Sequence, residues 1–97
     1  MNKKLDEQLL QELYMSILEI KSVEECEKYL MDLCTINELK AMSQRLKVAK
    51  MLDEEVVYQE IADKTGASTA TISRVSRCLN YGPGGYRMIL EKIKSHK

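Results

Sequence analysis

Apolar residues recur along this chain at intervals of three and four, the spacing of helices and not of strands. Leu5, Leu9, Leu10, Leu13, Ile17 and Leu18 lay one stripe along a first amphipathic helix. Ser22, with Glu25 three residues on, predicts a capping box opening a second helix, whose apolar face is Val23, Cys26, Tyr29, Leu30 and Leu33. Thr35 and Glu38 repeat the device and start a third helix that runs to about Leu52. Asp53-Glu54-Glu55 suits a linker or the first turn of the next element. Then come a short helix from about Tyr58 to Lys64, a turn at Gly66 and a helix from about Thr69 to Leu79. "NYGPGGY" breaks the chain: Gly82 can take the left-handed position after a helix, and Pro83 cannot continue one. A last helix, Tyr86 to about Lys94, is expected to bury Tyr86, Ile89, Leu90 and Ile93. With no strand pattern, internal repeat or low-complexity segment, the fold class is all-α.

The two short helices after Val57 form a recognisable pair. Ile61 and Ala62 face inward on the first; Ile72, Val75 and Leu79 do so on the second. A small residue where the helices cross, a glycine four residues later and a buried aliphatic six beyond it make a helix-turn-helix. Ser68 is placed to cap the second helix. Projected at 100° per residue, that helix puts Ser68, Ile72, Val75, Ser76 and Leu79 on one face, with Ala70, Ser73, Arg74 and Arg77 opposite. A slim, hydroxyl-bearing outer face with arginines suits the DNA major groove, where short side chains meet base edges and phosphates and arginine meets guanine. A hairpin packed for stability alone is the plainer alternative.

Charge and composition narrow the field. The net charge is zero, but residues 1–38 carry nine acids and four bases, whereas 39–97 carry eleven bases and six acids. From Ser68 onward, Arg74, Arg77, Arg87, Lys92, Lys94 and Lys97 face Glu91 alone. Such an end can hold a polyanion, or can be a solvated helix. With no Trp and no Phe the core is thin, which points to a partner subunit. The N-terminus shows no long apolar run, so neither a signal peptide nor a membrane span is expected. Cys26, Cys34 and Cys78 are odd in number and lack metal-ligand spacing, which fits a reducing cytoplasm and no metal site. No acid/base pair or activated nucleophile suggests an enzyme, and no catalytic residue or cofactor is expected. The glycines of 82–85 lack the lysine and strand of a phosphate-binding loop, so a plain turn is the expectation.

"QEIADKTGASTATISRVSRCLN", preceded by "TINELKAMSQRLKVAKML", resembles the Trp repressor family, in particular its TrpR-like YerC/YecD branch in Gram-positive bacteria. "GASTATISR" is the most specific part. The resemblance implies a Trp repressor-like helical bundle assembled as an intertwined homodimer that binds a double-stranded DNA operator. It implies one domain over 1–97, with dimerisation helices over 1–52, a helix-turn-helix over 58–79 and a C-terminal helix over 84–95. By carry-over Gln59, Thr69, Ala70, Thr71 and Ser73 lie nearest the DNA, joined by Arg77 from the projection and by the capping Ser68. The paired readers would address half-sites a little over about 30 Å apart.

Family members that bind an amino acid use a threonine before the third helix, an arginine on it and an arginine on the reader helix. Thr35, Arg45 and Arg74 match these positions. Arg45 also projects into an apolar arc between Ala41, Ala49 and Leu52, where a guanidinium needs an anion. A ligand carboxylate, a glutamate or a snorkelling path to water would each serve. Tryptophan-responsive repressors carry glycine after the reader-helix arginine, where this chain has Val75. Its isopropyl group takes space an indole needs, so L-tryptophan is not expected as the effector, and a smaller amino acid such as histidine remains open. Cys78 would line the same pocket. A protein-interaction module built on the same helix pair is the competing reading. A fragment resembling sigma-factor or transposase modules is a third, and it would not need the 57 residues before Tyr58.

Overall fold

A computed structural model describes residues 3–96 as six helices: α1 (Lys3–Ile17), α2 (Val23–Leu33), α3 (Ile36–Asp53), α4 (Tyr58–Thr65), α5 (Thr69–Tyr81) and α6 (Gly85–Ser95). Lys97 lies outside the described residues. The chain divides into two compact units, Met1–Ile36 and Asn37–Lys97. The boundary falls inside the expected dimerisation segment and groups α3 with the helix-turn-helix.

In the first unit, Ser22 caps α2 by accepting the Glu25 N–H at 3.0 Å. The return arm of the capping box differs from expectation. Glu25 Oε1 accepts from Lys21 N at 2.9 Å, one residue earlier than the reciprocal pattern requires. A hydrogen bond of 2.7 Å between Ser16 Oγ and Tyr29 OH ties α1 to α2. No described residue of α1 or α2 is buried. Val23, expected on the apolar face of α2, is 87% exposed, and Leu33 is also exposed.

The second unit holds the core: Val48, Ala49 and Met51 of α3, Ile61 of α4, Ala67 of the turn, Ile72, Val75 and Leu79 of α5, and Leu90 of α6. Ile61 and Ile72 are fully buried, as their spacing predicts, and Ala62 packs against them. Full burial of each such side chain stabilises the fold by about 1.5–3 kcal/mol. On α6, Leu90 is buried and Tyr86 and Ile93 are half-buried, but Ile89, expected inside, is exposed.

The two ends of α3 and α5 are built differently from expectation. After α3, Glu55 adopts a left-handed conformation (φ 62°), with Glu55 N on Leu52 O and Val56 N on Met51 O, both at 3.0 Å. That pair of bonds is a Schellman motif, and Val56 packs on the core beside it. The acidic triplet is thus a helix stop. Gly82 is not left-handed: it lies at φ −78°, ψ −171°. Pro83 is the reason, because a residue before proline is driven out of helical space into extended backbone. α5 therefore runs on to Tyr81, two residues beyond the expected end. A Cβ at Gly82 would collide with the Cys78 carbonyl oxygen, and Gly84 (φ 95°) makes the left-handed turn into α6.

Asp53 fastens α6. Its carboxylate takes Arg87 Nη1 at 2.8 Å and Lys94 Nζ at 2.5 Å, while Arg87 Nη2 donates to Asn80 Oδ1 at 3.1 Å. The Lys94 hydrogen bond, with the Lys94 and Arg87 charges, holds the Asp53 carboxyl below its ordinary value of 3.8. A lowered acid contributes stability above its unfolded pKa and loses it as pH falls through the folded one. Asp53→Asn is therefore expected to lower the melting temperature at pH 7. The gap to the parent should close as pH drops below the usual carboxylate range, which thermal melts across pH 2–7 would measure.

Candidate nucleic-acid interface

α4 and α5 meet at Gly66, whose left-handed conformation (φ 72°) ends α4 with its N–H on Ala62 O at 2.9 Å. Glycine takes that conformation at little steric cost. The turn is braced by Thr65, whose Oγ1 donates to Ile61 O at 2.7 Å and accepts from Ala67 N at 3.1 Å. Ser68 then caps α5, accepting the Thr71 N–H at 3.1 Å and donating to Thr71 Oγ1 at the same distance. Burial of Ala67 and Ile72 on either side fixes the rotation of α5 about its axis.

That rotation sorts the residues of α5. Ile72, Val75 and Leu79 go inward; Thr69, Ala70, Ser73, Arg74 and Arg77 are all exposed. Thr71 and Ser76 are half-buried between the two faces. Neither Arg74 nor Arg77 has an ion-pair or hydrogen-bond partner among the described residues. Gln59 is exposed at the start of α4, with Nε2 donating to Asp63 Oδ1 at 3.1 Å, a bond it must give up to contact anything else.

The effector positions fall in both units. Thr35 is exposed just ahead of α3 in the first unit, whereas Arg45, Arg74, Val75 and Cys78 belong to the second. Arg45 is half-buried and makes no hydrogen bond or ion pair among the described residues. No described side-chain nitrogen or oxygen is buried without a partner, so the Arg45 guanidinium reaches solvent. Val75 is 1% exposed, its isopropyl group packed into the core. Cys78 is exposed and lines a groove of about 420 Å³ with Pro83, Gly85, Tyr86 and Ile89.

Two features escape the projection of a single helix. The basic excess after Ser68 is partly spent internally, since Arg87 and Lys94 are held by Asp53. A second basic surface lies on α3, where Lys40, Ser43, Gln44 and Lys47 border a groove of about 380 Å³ with Thr65. The spacing of three, four and seven that puts these side chains on one helix face was the available signal.

Among the described residues no helix is long and apolar enough to cross a membrane, and no group of three or more His, Cys, Asp or Glu could hold a metal ion. A family model described as Trp repressor protein matches residues 8–94. The uncharacterized Bacillus subtilis (strain 168) protein YerC is 54% identical over 91 residues, covering 94% of this chain and 88% of its own. A TrpR-like protein from Eubacterium eligens ATCC 27750 superposes with a TM-score of 0.89 at 50% identity, over 96% of both chains. A candidate Trp repressor from Staphylococcus aureus gives 0.86 at 47% identity, over 90% of this chain and 87% of its own.

The local energetics of the reader helix give a direct check. Ser68→Ala removes the oxygen that accepts the Thr71 N–H, and is expected to cost about 1 kcal/mol of stability in urea denaturation. An unchanged midpoint would mean that the cap is not formed in solution.

Proposed function

This chain belongs to the Trp repressor family of DNA-binding transcription regulators, and from that premise we propose that it reads a specific DNA sequence as a homodimer. The observation that carries the reading is the two-sidedness of α5. One face is sealed into the core by Ile72, Val75 and Leu79; the other offers Thr69, Ala70, Ser73, Arg74 and Arg77. Two arginines on a slim exposed face, with no partner among the described residues, suit a polyanion with readable edges. Ser68, Thr71 and Gln59 complete the proposed contact set. Hydroxyls on this surface also suit water-bridged contacts, for which the Trp repressor is itself the standard illustration.

The dimer is supported by the first unit. Leu9, Leu10, Tyr14, Ile17 and Val23 are exposed on helices that bury no residue, and a second copy would cover such a surface. The cytoplasm is the compartment this role requires. The finer reading is repression of amino-acid biosynthesis genes under a small amino-acid effector other than L-tryptophan. It rests on the family, on Arg45, which pairs with no anion among the described residues, and on Thr35, Arg74 and Cys78 at the matching positions. Val75 packed into the core argues against an indole beside it.

Selection of duplexes from a random pool, repeated with each amino acid, would give the site and any effector. On the selected duplex, Arg77→Ala should weaken binding by about 1–3 kcal/mol while helicity stays intact. Full affinity in that variant would remove Arg77 from the interface. Calorimetry should show no saturable L-tryptophan binding at micromolar concentration; saturation there would overturn the argument from Val75. Affinity for selected duplexes that is indifferent to salt would favour a protein-interaction module instead.

A further inference from the structure

The groove on α3 has no role in the reading above. Lys40 and Lys47 are exposed at its two ends, seven residues and about 10 Å apart along the helix. Neither lysine has an ion-pair partner among the described residues. Between them Ser43 and Gln44 face the same groove, and Thr65 closes it from α4. On α4 the nearby acids are occupied: Glu60 pairs with Lys64 at 3.0 Å and Asp63 accepts from Gln59.

The groove is also fixed to the reader helix. Gln44 Nε2 donates to Thr65 O at 3.1 Å, which leaves its second N–H free for another acceptor. Thr65 Oγ1 in turn holds the Ala67 N–H, and Ala67 adjoins Ser68, the cap of α5. α3 and the start of α5 are therefore linked through three consecutive hydrogen-bonded groups, and a ligand in the groove would sit in register with the reader.

We propose that the groove lined by Lys40, Ser43, Gln44, Lys47 and Thr65 seats phosphodiesters of the DNA backbone beside the reader helix. This rests on the DNA-binding reading and extends its footprint onto α3. Two ammonium groups at the ends of an open, polar trough make point-charge contacts to successive backbone anions. Such contacts position the protein without reading bases. An exposed trough with no buried cation does not enclose a small free anion, so the backbone is the source of phosphate that fits.

The test is binding of the Lys40→Gln, Lys47→Gln double variant to the selected duplex and to a scrambled one across a series of salt concentrations. Each lysine lost from a phosphate should flatten the slope of log affinity against log salt by about one, so about two in all. Both duplexes should weaken by the same factor, and the Lys40→Arg, Lys47→Arg variant should restore the slope. Circular dichroism should be unchanged, since both side chains are exposed. If the parent binds its duplex and the Gln variant keeps the parental slope and affinity, the groove is not a backbone seat, though α5 still reads DNA. If the parent binds no duplex, both ideas fall. Titration of the parent with inorganic phosphate should show no saturable binding; saturation at the groove with an unaltered DNA slope would make it a small-anion site and overturn the proposal.

Discussion

The contact between Ile61 on α4 and Ile72 and Val75 on α5, closed at one end by Ala67, governs the rest of this molecule. These side chains are buried to within a few per cent. They can be so only if α5 turns one fixed side to α3 and α4. The left-handed Gly66 lets the chain reverse within three residues, and the Ser68 cap starts α5 at a defined residue. With rotation and start both set, the identity of the outer face follows. Arg74 and Arg77 are outward because Val75 and Leu79 are inward, and no separate device orients them.

Charge in the second unit divides into two uses. Asp53 binds Arg87 and Lys94, and Asn80 takes the other arm of Arg87, so those bases hold α6 to the ends of α3 and α5. Arg74, Arg77, Lys40 and Lys47 have no protein counterpart among the described residues. The positive excess of the C-terminal part is therefore a structural tie on one side and an uncompensated surface on another. The first unit has the opposite character, acidic and with an apolar stripe that its own helices do not cover.

Local devices were legible in the sequence, and pairings between distant residues were not. Ser22, Gly66 and Ser68 act within four residues of the groups they serve, so spacing alone located them. Ile61, Ile72, Val75 and Leu79 followed from helical period, and "GASTATISR" carried the family resemblance that the family match and the solved structures bear out. Gly82 departs from expectation because Pro83, which the sequence marks only as a helix stop, also drives the residue before it into extended backbone. Period alone puts Val23 and Ile89 on apolar faces, but period marks a face without saying whether this chain covers it. The Asp53 tie spans 34 and 41 residues, and its partners sit in a run that reads as a basic tail. The α3 groove needed Thr65 from another helix to become a groove at all.

A helix that enters the major groove must approach guanine N7, which lies there and not in the minor groove. Methylation interference on the selected duplex tests this most directly. The account predicts that methylating guanine N7 blocks binding in two patches on one side of the duplex, about one helical turn apart. Undiminished binding to fully N7-methylated duplex would contradict it, because the outer face of α5 would then not be in that groove.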